Sequence, residues 1–265
     1  MTLNKVVATA AEAVADIPDG ASLAVGGFGL AGIPWFLIEA LLEQGAGDLT
    51  IVSNNCGVDG GGLGLLLEAG RISRVIASYV GENKEFARQY LSGELTVELT
   101  PQGTLAERLR AGGSGIGAFF TPTGVGTLVA DGGLPWRYQP DGSVALASPP
   151  KEVRTFGGRQ MLLEESIATD YALIRAAVAD KAGNCVFHAA ARNFNPPAAM
   201  AGRVAVVEAE SVVEVGDLHP DEVHLPGIFV QRVVELTPDQ ASRKAIEKRT
   251  TRPRPDERTS QEGSS

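Results

Sequence analysis

The stretch Asp19-Gly20-Ala21-Ser22-Leu23-Ala24-Val25-Gly26-Gly27-Phe28-Gly29-Leu30-Ala31-Gly32-Ile33-Pro34 decides the fold. Ser22 to Val25 reads as a short buried strand, which the glycines at 26 and 27 bring to an end. Pro34 suits the first turn of a helix, where a missing N–H costs nothing. Phe36, Leu37, Ala40 and Leu41 then fall on one face of that helix, and Gly45 closes it. A strand, a glycine turn and a helix make the first half of a strand–helix–strand unit.

Working outward, the same alternation repeats. Further strands are expected at 49–52, 74–77 and 95–99, with helices at 64–69, 84–91 and 105–111. Thr9 followed by Glu12 forms a capping box that opens an earlier helix, running to about Ala15. Such alternation implies an α/β fold: a mostly parallel open sheet with helices on both faces. The middle changes character. Between 131 and 158 stand Gly132-Gly133, Pro135, Pro140, Asp141-Gly142 and Pro149-Pro150, all turn signals. Short strands at 144–147 and 161–163 fit a small antiparallel excursion there, and strand character returns at 171–178 and 204–207. No polar linker divides the chain, so residues 1–249 are expected to form one domain. Residues 250–265 hold no aliphatic or aromatic side chain and read as a disordered tail.

Composition narrows the function. With 23 Lys+Arg against 32 Asp+Glu, the formal charge of −9 argues against a nucleic-acid partner. It leaves an anionic small molecule open, because local backbone dipoles act independently of net charge. Two cysteines make neither a disulfide framework nor a zinc site. No run reaches the roughly 18–20 apolar residues of a membrane span, and the N-terminus lacks a signal-peptide layout. A cytoplasmic protein without a membrane partner is the expectation. Glycine, at 32 residues, is abundant and clustered, which points to loops bringing backbone amides against something.

Gly27-Phe28-Gly29-Leu30-Ala31-Gly32 matches the spacing of a dinucleotide fingerprint. The acidic residue that should close the second strand is missing: that strand runs into Ser53-Asn54-Asn55. Pro34 also falls where the nucleotide-binding helix would already be under way. What survives is a glycine turn able to present amides to an anionic group or oxyanion. No phosphate-loop or Gly-x-Ser-x-Gly motif occurs. His188, His219 and His224 lack metal-ligand spacing, and Cys56 has no basic neighbour to activate it.

The same opening stretch resembles the first signature of the family I coenzyme A transferases, and every constrained position is met. Ser53-Asn54-Asn55, Gly64-Leu65-Leu66-Leu67, Ser78-Tyr79-Val80-Gly81-Glu82-Asn83 and Gly93-Glu94-Leu95 are similar to the family as well. So are Thr100-Pro101-Gln102-Gly103-Thr104-Leu105-Ala106-Glu107-Arg108, Ala118-Phe119-Phe120-Thr121-Pro122-Thr123-Gly124 and Ala191-Arg192-Asn193-Phe194-Asn195. The likeness runs from about Leu3 to Leu236. Val80-Gly81-Glu82-Asn83, with Phe86 and Tyr90, favours the A subunits that serve transfer from succinyl-CoA to acetoacetate over those serving 3-oxoadipate.

The resemblance implies a division of labour. In the family a glutamate in a Ser-Glu-Asn-Gly motif attacks the thioester, and that motif does not occur here. The expectation is therefore a heteromer in which the B subunit supplies the nucleophile. This chain would contribute Asn54 and Gln102 as neutral donors to the oxyanion or substrate. Gly26, Gly27, Phe28, Gly29, Leu30, Ala31 and Gly32 would touch coenzyme A, which enters as substrate; no permanently bound cofactor and no metal are expected. A ligand-binding module of the same fold is the other class. Two departures stand out: Gly60-Gly61-Gly62 is unusually glycine-rich, and Ala31 replaces a common Cys.

Overall fold

The computed structural model describes residues 4–244 and 246. The first part contains β1 (Val6–Val7), α1 (Ala10–Val14), β2 (Ser22–Val25), α2 (Trp35–Gln44), β3 (Leu49–Val52), α3 (Gly64–Glu68), β4 (Ile72–Ala77), α4 (Lys84–Leu91), β5 (Thr96–Leu99) and α5 (Gln102–Gly113). The excursion follows as β6 (Ala118–Thr121), α6 (Leu128–Asp131), β7 (Pro135–Tyr138), β8 (Val144–Ala147), β9 (Val153–Phe156) and β10 (Arg159–Glu165). The chain then returns through β11 (Thr169–Asp180), β12 (Cys185–Val186), α7 (Asn195–Ala201), β13 (Gly202–Val213), β14 (Arg232–Glu235) and α8 (Pro238–Ser242).

The main sheet runs β1-β14-β13-β11-β2-β3-β4-β5, with β12 an antiparallel appendage on β11. Every pairing along that order is parallel, as expected from the strand–helix alternation. From β2 the chain steps outward through β3, β4 and β5, and later returns to pair β11 on β2's other side. The strand order therefore reverses between β2 and β11, the kind of switch point where open α/β sheets bind ligands. Beside this sheet lie a three-stranded antiparallel sheet, β6-β10-β9, and the β7–β8 hairpin.

Side-chain alternation builds two cores. Leu23 and Val25 of β2 face one layer with Leu37, Ile38 and Leu41 of α2 and Phe86 of α4. Ala24, one residue out of phase, faces the other with Leu105 and Leu109 of α5 and Ala198 and Ala199 of α7. Both faces of the sheet are thus covered. Among the described residues no helix is long and apolar enough to cross a membrane.

Two differences from the sequence reading have identifiable causes. Helix α5 begins at Gln102 rather than 105, because Pro101 takes the cap position and its carbonyl accepts the Leu105 N–H at 2.9 Å. Strands β11 and β13 extend past the expected 171–178 and 204–207 because their ladder runs on at both ends, from Thr169 opposite Gly202 to Asp180 opposite Val213. Arg175 stands in register with Glu208, and Nη1 lies 3.3 Å from Oε1. The 250–265 tail lies outside the described residues.

Glu208 also anchors α2. It is fully buried, and Oε2 accepts the N–H groups of Phe36 at 2.9 Å and Leu37 at 3.0 Å. These are first-turn donors that otherwise lack partners. Burial raises its carboxyl to about 7, while Arg175 and the helix amides pull the other way. A carboxyl raised on folding stabilises fully below its unfolded pKa, and that contribution is lost as pH rises through the folded value. Chemical denaturation of Glu208→Gln at a series of pH values between 4.5 and 7 should accordingly show a flatter fall in stability than wild type. Parallel profiles would remove Glu208 as the source of the slope.

Candidate active site at the carboxyl edge of the sheet

Where β2 ends, the 26–32 loop turns back tightly. The Gly26 N–H donates to the Leu173 carbonyl at 3.0 Å, and the Gly27 N–H donates to Asn193 Oδ1 at 3.1 Å. Phe28 and Ala31 exchange backbone hydrogen bonds, both 3.0 Å. The amides of Gly26, Gly27, Phe28 and Ala31 are therefore committed within the chain, which takes these four out of the set expected to face an anion. Phe28 is the one exposed residue of the 26–32 turn, at 48%. Gly26 is buried because nothing larger fits: a Cβ there would stand 1.9 Å from Asn195 Oδ1. Gly32 has φ +70°, and a Cβ would meet the Ala191 carbonyl oxygen at 2.7 Å.

Asn54 follows β3 and is 2% exposed. Its Nδ2 donates to Ser78 Oγ at 2.9 Å, and its own carbonyl accepts the Ser78 N–H at 3.0 Å. Asn54 Oδ1 is buried with no hydrogen-bond partner among the described residues, which is uncommon for an interior polar atom. Gln102, exposed, is the first residue of α5. Because the strands are parallel, both residues lie at the same carboxyl edge. β4 intervenes, so the two chain segments stand about 10 Å apart. Tyr79, which follows β4, is 59% exposed, so this edge presents aromatic surface at Phe28 and Tyr79 beside polar Gln102. Glu98 of β5 steadies Gln102's helix, since Arg108 of α5 donates to it at 2.7 Å.

Beside the switch point lies a cavity of about 210 Å³ lined by Leu30, Ile33, Arg175, Phe187, His188 and Lys244. Its charges are paired: Arg175 with Glu208 and Glu210, and Lys244 with Glu210 at 2.8 Å. No spacing in the sequence announces this cluster, because β11–β13 pairing assembles it. Ser78 was legible only as part of a motif. Other candidates are structural. Cys56 is fully buried, and burial drives its thiol far above the ordinary range. Cys185 is pushed up to about 12 by burial. His224 Nδ1 accepts the Phe187 N–H at 3.0 Å, and His219 Nδ1 accepts the Asp221 N–H at 3.2 Å.

The coenzyme A transferase family model matches residues 7–236, which covers the loop, both polar positions and the whole main sheet apart from Val6. This chain belongs to that family. Among members, it is 62% identical over 250 residues to the A subunit of a probable succinyl-CoA:3-ketoacid coenzyme A transferase of Mycobacterium tuberculosis, spanning 94% of this chain and 100% of that relative. It is 53% identical over 246 residues to the human mitochondrial succinyl-CoA:3-ketoacid coenzyme A transferase 2, covering 93% of this chain but 47% of the human protein. Among solved structures, the acyl-CoA transferase YdiF of Escherichia coli O157:H7, in a thioester complex with CoA, superposes with a TM-score of 0.74 at 26% identity. That match covers 89% of this chain and 48% of YdiF. The chain thus spans about half the length of the human enzyme and of YdiF.

The close approach at Gly26 makes a direct test of the loop's packing. Gly26→Ala should destabilise the chain by about 1–3 kcal/mol in urea denaturation, since the methyl must displace a wholly buried asparagine. An unchanged midpoint would show that Asn195 yields freely.

Proposed function

We propose that this chain is the A subunit of a heteromeric enzyme that moves coenzyme A from succinyl-CoA to a 3-oxo acid, acetoacetate in the first instance. One observation carries the reading. The Mycobacterium relative, itself named as an A subunit, is matched over 100% of its length, whereas the human enzyme is matched over only 47%. The unmatched remainder of the longer chain is where a second half, supplied here by a B subunit, finds its place. The Ser-Glu-Asn-Gly motif is missing from this sequence, which fits a nucleophile on that partner.

The chemistry then runs as acyl exchange. A glutamate carboxylate of the partner attacks the thioester carbonyl; the C–S bond breaks, giving an acyl-glutamyl anhydride and CoA thiolate. The thiolate attacks the glutamyl carbonyl, releasing succinate and leaving a glutamyl-CoA thioester. Acetoacetate attacks that thioester to form a new anhydride and free the thiolate, which then attacks the acetoacetyl carbonyl, giving acetoacetyl-CoA and releasing the glutamate carboxylate. Coenzyme A enters and leaves as part of the substrates, with no resident cofactor. Each attack places negative charge on a carbonyl oxygen, which fixed neutral donors stabilise.

This chain's part is to place such donors. Gln102, exposed at the carboxyl edge, is suited to reach an acyl oxygen. Asn54, buried with its Nδ2 donating to Ser78 Oγ, backs the edge behind Gln102 rather than presenting a donor itself. The 26–32 loop meets the thioester's CoA through its outward face at Phe28. A 3-oxoadipate specificity is the alternative; Val80-Gly81-Glu82-Asn83 with Phe86 and Tyr90 favours acetoacetate.

Two measurements test this reading. The purified chain should show no transfer from succinyl-CoA to acetoacetate until the B subunit is added, and activity without that partner would place the nucleophile here. Within the complex, Gln102→Ala should lower kcat by at least about tenfold while the heteromer still assembles. Wild-type kinetics would remove Gln102 from the site.

A further inference from the structure

Asn193 and Asn195 precede and begin α7, and both amides are spent on backbone. Asn193 Oδ1 accepts from the N–H groups of Gly27 (3.1 Å) and Phe194 (2.6 Å), and its Nδ2 donates to the carbonyls of Ala31 (3.0 Å) and Ala190 (2.9 Å). Asn195, wholly buried, donates through Nδ2 to the carbonyls of Gly32 (2.9 Å) and Ala191 (2.8 Å). Its Oδ1 accepts the Arg175 N–H at 3.0 Å. Together they hold three backbone groups of the 26–32 loop and tie them to β11 and to the turn at 190–191.

The loop needs such a hold. Its glycines at 27, 29 and 32 all sit at positive φ, so its conformational entropy is high when unrestrained. Of its internal hydrogen bonds, the reciprocal Phe28–Ala31 pair shapes only its tip. Asparagine matches the task because one planar amide both accepts and donates, which lets Asn193 bridge the Gly27 N–H and the Ala31 carbonyl from a single side chain.

We propose that Asn193 and Asn195 are positioning residues for thioester binding: they fix the shape of the 26–32 loop so that Phe28 stands at a set place on the carboxyl edge. This rests on the reading that the loop meets coenzyme A, and it adds the residues that make the contact reproducible. Neither asparagine needs to touch substrate. Holding the loop ready lowers the ordering cost of binding, so the effect belongs in KM for the thioester rather than in the acyl chemistry.

The test uses Asn193→Ala and Phe28→Ala, each assembled with the partner chain. Asn193→Ala should speed hydrogen exchange of the amides at 27 and 31 by at least about tenfold. It should also raise KM for succinyl-CoA by about the same factor, with kcat within about threefold and KM for acetoacetate unchanged. Asn193→Ser, whose hydroxyl can still accept one hydrogen bond, should fall between wild type and Asn193→Ala, and replaces it should that variant fail to assemble. Unchanged loop exchange would overturn the clamp itself. Faster exchange with wild-type KM for succinyl-CoA, while Phe28→Ala raises that KM, would overturn the positioning role; so would a loss confined to kcat. If neither variant alters KM for succinyl-CoA, the premise that the loop meets the thioester is what fails.

Discussion

The structure depends on a contact in which one residue is allowed no side chain and its neighbour no freedom. Gly26 leaves β2 where a methyl would stand 1.9 Å from Asn195 Oδ1, and Asn195 fills the space with an amide whose atoms are all hydrogen-bonded. A buried amide left half-satisfied costs more than its hydrogen bonds yield. The arrangement is therefore close to all-or-none: β2, β11, the glycine loop and the start of α7 are placed together or not at all. Glu208 extends the same logic by satisfying the first-turn amides of α2, and Arg175 joins Glu208 to β11.

From that junction the carboxyl edge follows. Parallel pairing puts the ends of β2, β3, β4 and β5 on one side, so Phe28, Asn54, Tyr79 and Gln102 share an edge although up to 74 positions separate them in sequence. The division between buried Asn54 and exposed Gln102 has a consequence. Asn54, tied to Ser78, is part of the wall, while Gln102 stands where an incoming group meets it. A surface of this kind, aromatic beside polar, suits the proposal of a subunit that shapes and stabilises a reaction whose attacking group arrives on another chain.

How far the sequence revealed this varies with the range of the interaction. The strand from Ser22 to Val25, the helix after Pro34 and the cap at Thr9 were legible because their determinants are local: apolar spacing, a proline, a hydroxyl three residues before a glutamate. The full extent of β11 and β13 was not, because it is set by pairing between strands that lie about 33 positions apart in sequence, with Arg175 opposite Glu208. The glycine loop shows both sides. Its position and tightness could be read from spacing, but the fate of its amides could not, since Asn193 lies 166 residues beyond Gly27. The Ala191-Arg192-Asn193-Phe194-Asn195 segment stood out by resemblance, and its physical meaning emerged only when its side chains were seen to hold the loop.

The central claim is that this polypeptide contributes placement while its companion contributes the bond-forming atom. It is tested most directly by incubating the assembled complex with succinyl-CoA alone, reducing the trapped thioester with borohydride, and mapping the modified glutamate by peptide mass spectrometry. The account requires the modification on a glutamate of the partner and unmodified glutamates throughout this chain. A reduced glutamate found in this chain would contradict it outright.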